Sequence, residues 1–252
     1  LSFAENTIMD ISAHSTIGSV VSRYYQTASV FESFHLDFCC GGKRTIEEAC
    51  AKKQLDTMPV LAALAKVIDQ PLQNGQMPFH EMSAQELISY ILTNHHYYIK
   101  EQGPVILGHL EKVAMKHGGR FPYMRETALL FDALLSELLA HMQKEEKVLF
   151  PLIRKMAVLE ESHMNTAELA EVITHPIAVM EAEHDVAGDY LHRIHALTNG
   201  FTIPPDACTT FRISLQELQT FESRMFEHVH LENNLLFPMM TNAAQSATES
   251  AS

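Results

Sequence analysis

Two stretches of the chain carry the same metal-capable pair at the same spacing. His141-Met-Gln-Lys-Glu145-Glu-Lys-Val-Leu-Phe-Pro151 is matched by His228-Val-His-Leu-Glu232-Asn-Asn-Leu-Leu-Phe-Pro238. In each, a His precedes a Glu by four residues and the run closes on Leu-Phe-Pro. On a helix, residues i and i+4 project from one face, one above the other. An imidazole and a carboxylate so placed can share a transition metal. A single His-x-x-x-Glu arises often by chance. Two copies with the same apolar tail make an internal repeat and point to a two-sided metal site.

The repeat also locates further donors. His141 and His228 lie 87 residues apart, and the two earlier helices offer His96 and His184, 88 apart. In an antiparallel hairpin, residues at one height are equidistant from the turn. The midpoint of His96 and His141 falls between Gly118 and Gly119, and that of His184 and His228 on Asp206, beside Pro204-Pro205. All four His are then expected in one layer, about 33 Å from the turns at about 1.5 Å per residue. The expected donor set is His96, His141, Glu145, His184, His228 and Glu232.

Six donors exceed one tetrahedral zinc site. They suit two metals bridged by the two carboxylates, each metal also taking two His and keeping open positions for a small ligand such as O2 or NO. Two carboxylates balance only part of the metal charge, so an oxo or hydroxo bridge is expected. His95 competes with His96, and the turn symmetry prefers His96 by one residue. His230 lies two residues from His228 and points about 200° away, so it is left out. Glu146 falls off the Glu145 face and is expected in solvent. Glu181 and Glu183, beside His184, are expected to line an access channel or to steady the ligands.

Helices must carry these donors, and the patterning agrees: strand-like alternation is scarce. Thr16 to Phe34 places Ile17, Val20, Val21, Tyr24, Ala28 and Phe31 on one face of a single amphipathic helix. Asp37-Phe-Cys-Cys-Gly-Gly-Lys43 breaks it, the glycines supplying a turn. Thr45 and Glu48 form a capping box for a short helix. Another begins near Met58-Pro59 with Leu61, Leu64, Ala65 and Ile68 inward, and a Pro/Gly/Asn-rich linker follows from Gln70 to Pro78. Four longer helices come next: from the capping box Ser83-Ala-Gln-Glu86 to His117, from about Pro122 to Lys155, from about Asn165 to Thr198, and from beyond Asp206 into the polar tail. Pro104, Pro151, Pro176 and Pro238 are expected to kink or break them. The fold class is all-α: an up-down-up-down four-helix bundle (residues 80–243) after a small helical domain (1–79), with a disordered tail at 244–252.

Composition narrows the function classes. The chain has 252 residues, a net charge of −13, and is 46% hydrophobic. That acidity argues against a nucleic-acid partner, because no basic stripe is offered to phosphates. No apolar run reaches the length of a membrane span, and the first residues lack a signal-peptide design. Four cysteines, Cys39, Cys40, Cys50 and Cys208, are too few for a disulfide scaffold in a chain this long. A soluble intracellular protein is expected.

Vicinal Cys39-Cys40 is the second chemical feature. Adjacent thiols chelate one metal poorly, and an adjacent disulfide is strained. The flanking glycines suggest a tight turn with exposed sulfur. Lys43, Arg44 and the following helix N-terminus would favour thiolate. Redox chemistry, metal handover and nitrosothiol formation are open to such a pair.

Asp-Phe-Cys-Cys-Gly-Gly-Lys-Arg-Thr at 37–45, the two His-x-x-x-Glu repeats, and Glu-Ala-Glu-His-Asp at 181–185 together resemble the RIC family. These are di-iron proteins for the repair of iron–sulfur clusters, with an N-terminal cysteine domain and a hemerythrin-like domain. The resemblance covers about residues 15–240. It implies two non-haem irons held by the six donors above, Cys39 and Cys40 as the conspicuous thiols, and damaged iron–sulfur proteins as clients. It also implies a cytoplasmic protein of the nitrosative and oxidative stress response, and a homodimer. One departure is a long, extended-looking stretch, Ala157–Thr174. Two other functions use the same donors: a di-iron NO or O2 reductase, and a carrier or sensor of O2, NO or iron. The cysteine element favours repair over carriage.

Overall fold

The computed structural model describes residues 11–69, 77–161 and 167–241. Most of the linker and the polar tail expected from the sequence lie outside them. The chain divides into two compact units, Leu1–Ser83 with Val229–Met239, and Ala84–His228 with Met240–Ser252.

In the first unit, α1 (Ile17–Arg23) starts at Thr16, whose side chain accepts from Ser19 N. A 3-10 turn (Tyr25–Thr27) and α2 (Ala28–Ser33) follow. The single helix expected over Thr16–Phe34 is therefore interrupted. Tyr24 leaves helical space at φ −133° and ψ 76°. The break lets the Tyr25 ring meet Phe79 edge-on at 5.1 Å and approach His230 at 6.0 Å. Aromatic packing overrides local periodicity here. The apolar stripe is still buried at Ile17, Val20, Val21, Ala28 and Phe31.

α3 (Ile46–Lys52) begins with the expected capping box, both hydrogen bonds between Thr45 and Glu48 being present. α4 (Thr57–Ile68) is capped by Asp56 and buries Val60 and Leu64. Ala65, expected inward, is exposed. A backbone ladder joins the segments: Ile17 N donates to Arg44 O (2.9 Å) and Gly18 N to Gly42 O (2.8 Å).

The second unit is helical throughout its described elements. The first rod is α5 (Ala84–Tyr90), a π-helical turn (Ile91–His96) and α6 (Tyr97–His117), which ends at Gly118. The second is α7 (Tyr123–Lys144), a π turn (Glu145–Leu149) and α8 (Phe150–Glu161). α9 (Ala167–Leu197) is the third and α10 (Thr209–Leu231) the fourth; α10 runs on into a π turn (Glu232–Leu236) that belongs to the first unit. Of the stretch Ala157–Thr174, the described residues are helical, up to Glu161 and again from Ala167, and the rest of it lies outside them.

α7 packs on α6 and α9. α10 reaches α7 through Phe131 and Phe221, whose rings meet at 5.0 Å, and α6 through His109 and Glu217 at 2.8 Å. Phe131, Leu134, Leu138 and Met142 recur at helical spacing and are buried. Each such side chain contributes roughly 1.5–3 kcal/mol when fully buried. Arg120 pairs with Asp206, tying together the two turns from which the donor layer was measured.

The prolines behave differently from expectation. Pro104 and Pro176 lie inside uninterrupted α6 and α9. Pro151 and Pro238 each follow a π turn. A proline lacks its N–H and crowds the carbonyl four residues back, and a widened turn ahead of it relieves both. Among the described residues no helix is long and apolar enough to cross a membrane.

Candidate metal centre

Each π turn borders an expected donor: Ile91–His96 ends on His96, while Glu145–Leu149 and Glu232–Leu236 begin on the two carboxylates. Such turns insert one extra residue and re-aim the side chains around it, and they recur at functional sites. Glu232 lies one turn beyond His228 on the same continuous helix.

The donor atoms fall into two groups of four. His96, Glu145, His228 and Glu232 form one, and His141, Glu145, His184 and Glu232 the other, with all atoms of a group within 4.8 Å of each other. Every member is buried, both carboxylates at 0% exposure. The oxygens of Glu145 face different imidazoles, Oε2 at 3.3 Å from His96 Nε2 and Oε1 at 3.2 Å from His141 Nε2. His184 Nε2 lies 3.0 Å from His141 Nε2. Two donors bound to one ion at about 2.1 Å and at right angles would be about 3.0 Å apart. Nitrogen and carboxylate oxygen together suit iron, zinc or copper. The residues present therefore fit a metal.

A second layer orients the imidazoles. His96 Nδ1 donates to Glu146 Oε1 at 2.7 Å, and Lys100 donates to the same oxygen at 2.6 Å. His141 Nδ1 donates to Glu183 Oε2 at 2.9 Å, and Lys144 bonds the other oxygen of that carboxylate. A carboxylate only accepts, so Nδ1 carries the proton and Nε2 keeps its lone pair for a metal. Burial alone would raise the carboxyls of Glu146 and Glu183. Hydrogen bonds from the lysine and the histidine, with their charges, outweigh it and hold both below the usual carboxylate range.

Glu146, expected in solvent, is thus a partner of a donor. Sequence carried a signal for this: a Lys one helical turn after each His, at Lys100 and Lys144. Glu183 takes the steadying role expected of it. Phe150, of the repeated Leu-Phe-Pro, stacks on His96 with ring centroids 5.6 Å apart.

His95 is buried but belongs to neither donor group. Its ring stacks on His228 at 5.5 Å, and Nε2 is 3.4 Å from Glu227 Oε1. Tyr90 donates to the same Glu227 oxygen at 3.1 Å. Burial, then the Glu227 charge and hydrogen bond, push the Tyr90 phenol up to about 12. His230 is likewise buried outside the donor groups, its ring 5.7 Å from that of Phe38.

The cysteine loop departs from expectation. Asp37 Oδ1 accepts from the backbone N–H of Cys39 and of Cys40, both at 3.0 Å, and from Cys39 Sγ at 3.2 Å. Cys39 is 4% exposed, so the sulfur expected at the surface is buried, while Cys40 is half-buried. The two sulfurs are 3.8 Å apart. The hydrogen bond to Cys40, then burial, then the charges of Cys40 and Asp37 raise the Cys39 thiol well above its ordinary value. Thiolate is disfavoured there, against the expectation from Lys43 and Arg44. Gly41 and Gly42 do not adopt positive φ. A Cβ on Gly41 would lie 2.7 Å from Asp37 O, so close approach excludes a side chain.

Comparison with known proteins agrees with this architecture. Residues 87–240 match the hemerythrin HHE cation binding domain, and residues 13–68 match ScdA_N, a domain of unknown function. A protein of Enterobacter sp. (strain 638), named iron-sulfur cluster repair protein YtfE, is 33% identical over 88% of this chain and 94% of its own length. The protein of that name from Musicola paradisiaca (strain Ech703) is 34% identical over the same shares. That of Escherichia coli O81 (strain ED1a) is 33% identical, again over 88% and 94%. Matched by both domain models and by these relatives along most of its length, the chain belongs to the RIC family of YtfE-type iron–sulfur cluster repair proteins.

Proposed function

We propose that this chain is a non-haem di-iron protein that repairs iron–sulfur clusters damaged by nitrosative or oxidative stress, by delivering iron to them or removing NO. The observation that carries the reading is the pair of four-donor groups sharing Glu145 and Glu232. His96 and His228 would hold one iron and His141 and His184 a second, with Glu145 and Glu232 available to both. Bound iron would supply transferable metal and open positions for NO or O2.

The chain's own residues hold and tune that centre. Glu146 with Lys100, and Glu183 with Lys144, fix the tautomer and direction of His96 and His141. The buried setting excludes bulk water from the carboxylates. The loop of Cys39 and Cys40 serves as a contact or thiol-transfer element toward client iron–sulfur proteins. Cys40, the more exposed thiol, is the one that reaches a partner. The protein acts in the cytoplasm as a homodimer, without nucleic acid or membrane.

Anaerobic, iron-loaded protein is expected to restore an NO-damaged cluster enzyme in proportion to the iron it carries. Sustained N2O formation over many turnovers, with a chemical reductant and no effect on the client, would overturn repair in favour of an NO reductase. Reversible NO or O2 binding with neither effect would leave a carrier or sensor.

A further inference from the structure

The C-terminal end of the fourth rod carries two chemically distinct faces. His228 and Glu232 belong to the donor groups. His230 and Asn234, also four residues apart, point nearly the opposite way, because two residues along a helix turn through about 200°. Asn234 Nδ2 donates to Phe38 O at 3.1 Å and to Cys39 O at 3.2 Å, and lies 3.1 Å from His230 Nδ1.

The carboxamide sits in a socket that only glycine could form. A Cβ on Gly18 or on Gly42 would come within 2.3 Å of Asn234 Oδ1. Ser22 Oγ donates to Asn234 O at 3.2 Å, fixing the backbone as well. Gly42 of the Cys-Cys-Gly-Gly element thus serves to admit one side chain. The two repeat copies differ at these positions. Gln143 and Lys147 stand in the first copy where His230 and Asn234 stand in the second, and both are exposed.

Glu232 and Asn234 share one π turn, closed by the Phe237 N–H on the Glu232 carbonyl. We infer that Asn234 is a positioning residue: its carboxamide ties the backbone of the Cys39–Cys40 loop to the turn that carries Glu232. A chemical change at the thiols is thereby felt at the metal donors, and metal binding is felt at the thiols. The inference rests on the proposed role of Glu232 as a ligand.

The test uses the full chain, with iodoacetamide as the probe of the thiols. In the wild type, iron should change the alkylation rate of Cys40 by about fivefold or more, and alkylation should shift the iron absorption spectrum. Asn234→Ala, and Asn234→Asp (the same shape without the N–H donor), should still bind iron while losing both effects. Lys147→Ala, the equivalent exposed position, should lose neither. Retention of both effects in the two Asn234 variants, or their absence in the wild type, overturns the inference.

Hydrogen exchange of residues 232–237 in the metal-free chain decides the matter independently of iron. Alkylation of Cys40 must change it in the wild type, and unchanged exchange there sinks the coupling. Wild type that binds no iron would instead count against the proposed function, and this metal-free arm, run on wild type and on Asn234→Ala, would still judge the coupling through Asn234.

Discussion

Glu146 stands 2.7 Å from His96 Nδ1, on the side of the ring away from the donor cluster, and is itself held by Lys100 at 2.6 Å. The mirror arrangement, His141 with Glu183 and Lys144, shows that this is a repeated device. At the proposed metal centre it would make the imidazoles better and better-aimed ligands.

Removing those carboxylates should therefore weaken iron binding without abolishing it. Glu146→Ala and Glu183→Ala are each expected to lower metal affinity by about 10–100-fold. Competition with a chelator of known affinity measures this, and unchanged retention of iron would refute the steadying role.

The shared carboxylates should matter more. Glu145→Ala with Glu232→Ala is expected to lose the iron altogether while far-ultraviolet circular dichroism stays helical. A ligand at a hundredfold excess over its Kd stabilises the folded state by about 2.7 kcal/mol. Chelation should thus lower the Tm of the wild type and leave the double variant unmoved. Full iron content in the double variant would break the assignment.

Two adjacent histidines provide a sharper discrimination. His96→Ala should deplete iron, whereas His95→Leu should keep it, since His95 lies in neither donor group and packs against His228. Metal analysis of the two purified variants decides, and the reverse pattern would exchange their roles.

Tyr90 gives a pH signature. Its phenol is neutral when protonated, and in the folded chain it is pushed up to about 12 from 10.0. The associated stability is complete below pH 10 and is lost as pH rises through about 12, since the unfolded chain gives up the proton first. An ultraviolet titration of phenolate, wild type against Tyr90→Phe, should show the missing step near that upper value. A missing step at the ordinary tyrosine pH would contradict the burial argument.

The thiols should be separable from the metal. Cys39→Ser with Cys40→Ser is expected to retain iron and to weaken repair of a client cluster. Loss of iron in that variant would place the cysteines among the ligands.

Helical periodicity made much of this protein legible beforehand. His141 with Glu145, and His228 with Glu232, share a face by local geometry alone. The 87-residue offset then led to His96 and His184, and to glycine- and proline-marked turns. Those inferences needed only i+4 spacing and hairpin symmetry.

Other features depended on partners far away in the chain. Glu146 looked solvated because its histidine lies 50 residues earlier, on a neighbouring helix. Nothing in the spacing marks Asn234, because the carbonyls it binds are 196 and 195 residues away. Tyr24 broke a well-patterned helix, and Cys39 became buried beside Asp37. Spacing along a helix determines which way a side chain starts out. What it meets there, and whether its charge or thiol is masked or aimed, was decided only when the distant segments packed together.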